Sequence, residues 1–179
     1  MNAEFHFKLQ QFYYREARML DERRYQDWTA LLSEQVQYLM PSRYVAQRDS
    51  ALRGQQAFLD EQCELQSQNS DCLPLRDENW LILKLRADRA CHQHSWADNP
   101  PARTRRHISN IEWLESCDGQ HQILSNFLLY FSRYERDNTL YSGQRRDILQ
   151  ESGDGFVIVR REVRLDWNCI TGPTVGFFF

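Results

Sequence analysis

The 179-residue sequence has no apolar run near the roughly 18 to 20 residues that a membrane-spanning helix needs. It also has no internal repeat, no low-complexity segment and no excess of basic residues, since the net charge is -3 and the pI about 6.0. We therefore expect neither a membrane nor a nucleic acid as a partner. The chain shows no signal-peptide pattern, and its five cysteines are odd in number and widely scattered. These features predict a reduced, cytoplasmic setting.

Common catalytic motifs are missing as well. The sequence has no Gly-x-Ser-x-Gly elbow and no glycine-rich phosphate loop. Cys91 and His94 have the Cys-x-x-His spacing of half a Rieske site, but Cys72 is followed by Leu73 and Pro74, so the Cys-x-His half is absent upstream. We predict that this chain binds no metal and no cofactor.

The composition is that of a globular protein. Hydrophobic residues make up 41% of the chain, aromatic residues 13% and charged residues 26%. A chain of this length buries roughly 70% of its unfolded surface when it folds as one unit. The sequence predicts a single domain over residues 1–179.

The N-terminal region has the spacing of amphipathic helices. Apolar residues recur every three or four positions from residue 4, which predicts one helix. A second helix is predicted to run from Tyr25 to Leu32 with Asp21 as its cap, so residues 1–34 form N-terminal helices. The stripe of the first helix comprises Phe5, Leu9, Phe12, Tyr13 and Leu20.

The spacing of apolar residues changes in the middle of the chain. In VQYLMP at 36–41, apolar and polar residues alternate as in a strand with one wetter face. Residues 42–53 indicate a loop, and Phe58, Leu59 and Leu65 suggest a third helix after Gly54. The segment 77–89 fits either a helix or a strand, and we favour the helix.

The C-terminal half predicts long strands. Turn signals at 118–119, 137–138 and 153–155 divide residues 103–167 into an antiparallel meander. The predicted strand 121–134 is apolar on both faces, so helices should cover one face and something else the other. In the last strand, Phe156 and Ile158 are predicted on one face, and Val157, Val159, Val163 and Leu165 on the opposite face. Helices followed by a meander indicate an α+β fold, with a strongly curved, mainly antiparallel sheet around the N-terminal helices.

Several segments, in order along the chain, resemble the small (β) subunits of bacterial aromatic-ring-hydroxylating dioxygenases. They are FYYREARMLDERRYQDWTALL at 12–32, VQYLMP at 36–41, WADNPPARTRRHISNIEW at 96–113, GQRRDIL at 143–149 and FVIVRREVRLD at 156–166. A terminal aromatic pair completes the likeness. One departure is visible, because a family-like TRH is TRRH here, with two arginines before the histidine.

The resemblance implies an NTF2-like cone. It further implies assembly with a larger α subunit, commonly as a hexamer of three α and three β subunits. The α subunit carries a Rieske 2Fe-2S cluster and a mononuclear iron, which receives electrons from NADH through partner proteins. That iron adds both atoms of dioxygen to an aromatic ring. The resemblance implies a structural β subunit with none of this chemistry.

An intersubunit role is predicted for exposed aromatic and arginine residues, which are enriched at stable interfaces. The sequence closes on GPTVGFFF, and we expect a partner subunit, either the α subunit or another copy of this chain, to cover this aromatic tail at 168–179. The competing expectation is that the tail packs on its own domain. The interface candidates are Trp96, Arg105, Arg106, Trp113, Arg145, Arg146, Trp167, Phe177, Phe178 and Phe179.

Two other functions are compatible with the same fold. A stand-alone, cofactor-free isomerase, dehydratase or hydrolase would place a histidine and a carboxylate in the cone, and His107 with Asp27 or Tyr25 is the candidate set. A ligand-binding module would use the same cone without catalysis.

Overall fold

The computed structural model describes residues 3–45, 47–65, 73–92, 99–135 and 137–179. Within these ranges the chain forms three α-helices, six strands and three short 3-10 turns. None of the helices described is long and apolar enough to cross a bilayer. The helices are α1 (Ala3–Asp21), α2 (Tyr25–Thr29) and α3 (Trp80–Ala90), and the strands are β1 (Leu32–Met40), β2 (Arg76–Asn79), β3 (Arg103–Cys117), β4 (Gln120–Arg133), β5 (Asp137–Ser152) and β6 (Gly155–Leu165).

The six strands form one sheet in the order β2-β1-β6-β5-β4-β3. All neighbours are antiparallel except β1 and β6, which are parallel. Register shifts interrupt the ladders in β3, between β1 and β6 and between β5 and β6, and such bulges bend a sheet. Helix α1 packs against β3 and β6 on the inner side of the sheet. The predicted α+β class, with a curved and mainly antiparallel sheet, is confirmed.

Helix α1 follows its apolar stripe, as predicted. Its buried residues recur at helical spacing and face the sheet: they are Leu9, Phe12, Tyr13, Glu16, Ala17, Met19 and Leu20. Helix α2 is shorter than predicted, because it ends at Thr29 and Leu32 already pairs with Ile158 in β6. Asp21 does not cap it, since α2 follows Arg24, whose side chain makes no capping hydrogen bond. The carboxylate of Asp21 binds Arg106 instead.

The centre of the chain departs further from the prediction. The third helix expected near Phe58 is wrong, because this region consists of three short 3-10 turns at Ser50–Leu52, Gln56–Leu59 and Glu61–Glu64. In the ambiguous segment 77–89, β2 ends at Asn79 and α3 begins at once, so the favoured helix is confirmed from Trp80 onward. The side-chain oxygen of Asn79 accepts a hydrogen bond from the main-chain N–H of Ile82 at 3.1 Å and caps α3.

The last strand reverses its faces at a bulge. Ile148 of β5 pairs with Arg160, whereas the next residue, Leu149, pairs with Ile158, so Val159 is an extra residue. Beyond it, Arg161, Val163 and Leu165 point into the core with Phe156 and Ile158. The prediction that Val163 and Leu165 face away from Phe156 and Ile158 is therefore wrong. The same bulge turns Arg161 inward.

The aromatic tail packs inside its own chain. Phe178 is 3% exposed and Phe179 is fully buried. The ring of Phe178 lies 4.3 Å from that of Trp28, and the ring of Phe177 stacks on Phe131 at 5.4 Å. The prediction that another subunit covers the tail is wrong for Phe178 and Phe179, because the concave side of the sheet provides enough apolar surface to bury them.

Gly143 in β5 allows a close approach between strands. A Cβ atom at this position would meet the main-chain oxygen of Arg164 and would lie 2.9 Å from the ring of Phe127. We expect Gly143→Ala to lower the free energy of unfolding by about 1 to 3 kcal/mol, because the core has no room for the methyl group. Gly155→Ala is the matched control, since nothing lies within 4 Å of its Cβ position, and should change stability by less than about 0.5 kcal/mol. Urea unfolding measures both, and equal losses in the two variants would contradict this packing.

Candidate functional site

Four charged side chains are buried together on the inner side of the sheet. We call Glu16, Arg145, Asp147 and Arg161 the charge cluster; each is at most 2% exposed. Arg161 lies between the two acids. It donates to Glu16 at 2.5 and 3.0 Å and to Asp147 at 2.7 and 2.9 Å. Two acids and two arginines balance formally, so the interior carries no net charge from these residues.

Neighbouring elements hold the charge cluster in place. The Tyr13 hydroxyl on α1 donates to Asp147 at 2.9 Å, and the Trp28 indole N–H on α2 donates to Glu16 at 2.9 Å. Arg145 donates to Glu16 at 3.3 Å from β5. The cluster thus connects α1, α2, β5 and β6, and each buried polar contact depends on the others.

Burial and the opposite charges act against each other in the cluster. Burial alone raises the pKa of Glu16, but the Arg161 and Arg145 guanidinium groups outweigh it and lower that pKa to about 2. Burial raises the pKa of Tyr13 well above its ordinary value, and the negative charge of Asp147 is the second cause in the same direction. Burial lowers the pKa of Arg161, but Asp147 and Glu16 reverse this and raise it well above its usual range. Near neutral pH the cluster therefore contains ionised Glu16 and Arg161 and a neutral Tyr13, which suits structural ion pairs better than proton transfer.

Arg106 and Arg145 do not lie at an accessible surface. Arg106 is 7% exposed, and its guanidinium donates to Asp21 at 2.5 Å and to the main-chain oxygen of Phe178 at 2.5 Å. Arg145 is fully buried. Their predicted intersubunit role is wrong, because strand alternation points both side chains into the core, where carboxylates neutralise them.

A cavity of about 710 Å³ lies beside the tail. It is bounded by the turn between α1 and α2, the end of α3 and the facing ends of β3 and β4. Phe177 lines this cavity, whereas the main-chain oxygen of Phe179 accepts a hydrogen bond from Arg161 at 3.2 Å. The tail consequently separates the cavity from the charge cluster. The other residues that line the cavity include Arg23, Tyr25, His92, Phe131 and Arg133.

The alternative catalytic set is not assembled. His107 is exposed on the outer face of β3, opposite Leu128. Tyr25 faces inward, with its ring 5.7 Å from that of Phe178. Asp27 is exposed on α2, where it pairs with Arg24 at 2.7 Å. The prediction that His107 meets Asp27 or Tyr25 inside the cone is wrong, because His107 and Tyr25 lie on opposite sides of the sheet.

One polar arrangement was missed in the sequence. Ser116 Oγ lies 2.6 Å from His121 Nδ1, and His121 Nε2 lies 3.2 Å from Glu151. The Trp113 indole N–H donates to the same serine oxygen at 2.8 Å, and neither the 710 Å³ cavity nor a second one of about 410 Å³ includes these residues. The arrangement therefore fastens the β3–β4 hairpin rather than activating a nucleophile. No sequence signal links these residues, because the pairing of β3 with β4 and of β4 with β5 brings them together.

The outer face of the sheet has an exposed patch of apolar and basic residues. We call Arg105, His107, Leu128, Tyr130 and Leu140 the outer patch. Cross-strand pairs connect its members, since β4 lies between β3 and β5 in the sheet. Leu128 and Tyr130 are each 45% exposed, and Leu140 is 53% exposed. A contiguous apolar surface of this kind is typical of an interaction site.

The remaining interface candidates differ in exposure. Arg105 and Arg146 are exposed on the outer face. Trp113, Trp167 and Phe177 are half-buried against the core. For all of these residues an intersubunit role stays a prediction. Trp96 lies outside the described residues.

The described residues do not fit an iron centre. Among them, no three His, Cys, Asp or Glu side chains are grouped so that they could hold a metal ion. Cys63, Cys91, Cys117 and Cys169 are free and exposed. His94 and Cys72, which the Rieske comparison used, lie outside the described ranges. We therefore assign no metal chemistry to the part of the chain that the structure describes.

Comparison with known proteins agrees with this geometry. The family described as the ring hydroxylating beta subunit matches residues 15–172. The benzene 1,2-dioxygenase subunit beta of Pseudomonas putida is 33% identical over 98% of this chain and 89% of its own length. The biphenyl 2,3-dioxygenase subunit beta of Rhodococcus jostii is 32% identical over 96% of this chain and 87% of its own length.

A solved structure supports the fold. The naphthalene 1,2-dioxygenase structure with indole bound in its active site contains a chain that matches 95% of this one, and 83% of that chain is covered. The TM-score is 0.77 at 21% sequence identity, so this likeness bears on the fold alone. Together with the curved six-stranded sheet, it confirms the NTF2-like cone.

The depressed pKa of Glu16 makes stability depend on pH. The folded-state pKa of about 2 lies below the ordinary 4.5, so Glu16 stabilises the fold fully above about pH 4.5, and this contribution is lost as the pH falls toward 2. The contribution is on the order of 3 kcal/mol. We expect Glu16→Gln to lower the free energy of unfolding by about 3 to 5 kcal/mol at neutral pH, because Arg161 and Arg145 lose a buried anion.

Urea unfolding at several values between about pH 6 and about pH 3 measures this effect. The variant should lose less stability over this range than the parent chain does. Glu34→Gln, which changes an exposed glutamate on β1, should behave like the parent. A Glu16→Gln variant with the parent's pH dependence would contradict the assignment.

Proposed function

Because this chain belongs to the ring hydroxylating β-subunit family, we propose that it supports a catalytic α subunit and has no catalytic centre of its own. It is a structural β subunit of an aromatic-ring-hydroxylating dioxygenase. The observation that carries the proposal is the contrast between the two sides of the sheet. On the inner side, α1, the charge cluster and the tail occupy the space except for the cavity of about 710 Å³ beside Phe177, whereas the outer patch leaves apolar side chains in water.

The outer patch has the composition of a docking surface. Tyr130 faces Arg105 on one neighbouring strand and Leu140 on the other, so an aromatic ring is flanked by a guanidinium and an aliphatic group. Arg146 continues the basic character along β5. Interfaces are enriched in aromatic residues and arginine. We infer that the apolar groups pack on the partner and that the arginines bind its carboxylates, for which a guanidinium offers bidentate geometry.

The proposed complex places all redox chemistry in the partner. The α subunit would hold the Rieske 2Fe-2S cluster and the mononuclear iron, and NADH would supply electrons through transfer proteins. This chain would stabilise the assembly, with three α and three β subunits in the cytoplasm. Membership in the ring hydroxylating β-subunit family supports this division.

The direct test is reconstitution with the cognate α subunit. Co-expressed chains should purify as one complex that converts an aromatic substrate to a dihydroxylated product with NADH and the transfer proteins. This chain alone, under the same conditions, should give no product. Turnover by the isolated chain without iron or NADH would overturn the proposal and favour a stand-alone enzyme.

Leu128 on β4, the middle strand of the outer patch, provides the sharpest variant. We expect Leu128→Asp to weaken binding of the α subunit by about tenfold or more, because a partner would have to bury the carboxylate in an apolar contact. The side chain is exposed in the isolated chain, so the fold should tolerate the change. Size-exclusion chromatography and a binding titration measure the effect.

The matched control is Val45→Asp, which introduces the same charge at a residue that is 80% exposed and lies outside the outer patch. It should bind the α subunit as the parent does. Unchanged affinity of Leu128→Asp would exclude the outer patch as the docking surface.

A further inference from the structure

Residues 174–179, which we call the tail segment, contact the rest of the chain in an unusual way. All six of their main-chain oxygens accept hydrogen bonds from side chains. Tyr141 donates to Thr174 at 2.6 Å, and Arg76 donates to Val175 at 3.0 Å. Arg86 donates to both Gly176 and Phe177, at 2.9 and 3.3 Å. Arg106 donates to Phe178 at 2.5 Å, and Phe179 accepts from Arg161 at 3.2 Å and from Tyr38 at 3.4 Å. The donors belong to α3 and to five of the six strands.

The tail segment is not part of the sheet. In the described ranges, the main-chain hydrogen bonds between loops and strands include none that joins residues 174–179 to another element. The β6 ladder ends at Leu165, where it pairs with Gly143. The sheet therefore keeps all of its own main-chain hydrogen bonds without the tail segment, which is attached only through side chains.

The arginine donors are positioned independently of the tail segment. Arg76 and Arg86 both pair with Glu78, and Arg106 pairs with Asp21. Arg161 is held by Glu16 and Asp147 in the charge cluster. We call the chain without residues 169–179 the body. Because carboxylates of the body fix each guanidinium, the arginine side chains keep their positions when the tail segment is absent. A preorganised site of this kind loses little entropy on binding.

The side chains of the tail segment fit defined apolar positions. Phe178 lies between the ring of Trp28 and the guanidinium of Arg86, whose centre is 4.5 Å from the phenyl centroid. Phe179 lies 5.5 Å from the ring of Phe127. Gly172, just before the tail segment, passes the ring of Tyr141 so closely that a Cβ atom would collide with it.

We propose that the inner side of the cone is a peptide-binding site and that the tail segment is its built-in ligand. The site takes a short peptide of irregular backbone with consecutive aromatic residues: arginine and tyrosine side chains bind its main-chain oxygens, and the aromatic groups of the core contact its rings. The tail segment occupies this site in cis, and a separate peptide of the same sequence occupies it once the tail is cut. The inference does not depend on the α subunit.

The test uses the full chain with a protease recognition sequence inserted between Asn168 and Cys169, which are both exposed. The protein folds with its tail in place and is then cut. The released fragment 169–179 should remain with the body in size-exclusion chromatography. A fluorescent synthetic peptide of residues 169–179, with two added lysines for solubility, should exchange with it at one peptide per body.

Two controls define the recognition. A peptide with serine in place of all three phenylalanines should bind at least about 100-fold more weakly, because it buries no rings. In the body, Arg86→Lys should weaken binding by about tenfold, since a lysine cannot hold Glu78 and the tail oxygens together. Arg53→Lys, which changes an exposed arginine that lines neither cavity, should leave the affinity unchanged.

Two results would overturn the proposal. In one, the fragment separates, the body keeps its circular dichroism spectrum, and the labelled peptide does not bind at concentrations up to about 1 mM. In the other, the body unfolds as the fragment leaves, which would make the tail segment an inseparable part of the core rather than a ligand.

Discussion

The structure depends on the ion pairs of Arg161 with Glu16 and Asp147. Three charges with no exposed surface are stable together because each carboxylate receives two hydrogen bonds from one guanidinium. These contacts join the first helix to the last two strands. Glu16 and Arg161 are 145 residues apart in the sequence. It also gives the tail a donor for its last main-chain oxygen. Loss of either acid would leave two buried arginines with one carboxylate, so one positive charge would not be neutralised. The cluster therefore favours a single arrangement of helix, sheet and tail.

The two sides of the sheet follow from this arrangement. On the inner side, ions, aromatic rings and the tail occupy the middle of the cone and leave a cavity of about 710 Å³ beside Phe177, in which His107 and Asp27 take no part. On the outer side, Leu128, Tyr130 and Leu140 remain in water beside arginines. A chain whose predicted catalytic set is not assembled, and whose outer face exposes apolar side chains, suits a subunit that supports another protein. Membership in the ring hydroxylating β-subunit family agrees with that division.

The sequence predicts the parts of the fold that local periodicity governs. The stripe of α1 and the two faces of β4 are visible because burial on one side imposes a period of about 3.6 or of 2. The faces of β6 are not predictable in this way, since one extra residue at Val159 exchanges them and only pairing with β5 reveals it. Arg105 and Arg106 are adjacent and chemically identical, yet one lies outside and the other binds Asp21 inside. The burial of the aromatic tail is unpredictable for a related reason, because the surface that buries it is created only when the distant strands form the cone.

Hydroxyl-radical footprinting of side chains, read by mass spectrometry, tests the central claim most directly when the isolated chain is compared with its complex with the α subunit. We expect Leu128, Tyr130 and Leu140 to be oxidised in the isolated chain and protected in the complex. Phe178 and Phe179 should be unreactive in both samples, because they are buried within the chain itself. Equal oxidation of the three outer residues in both samples, or oxidation of Phe178 and Phe179 in the isolated chain alone, would contradict the central claim.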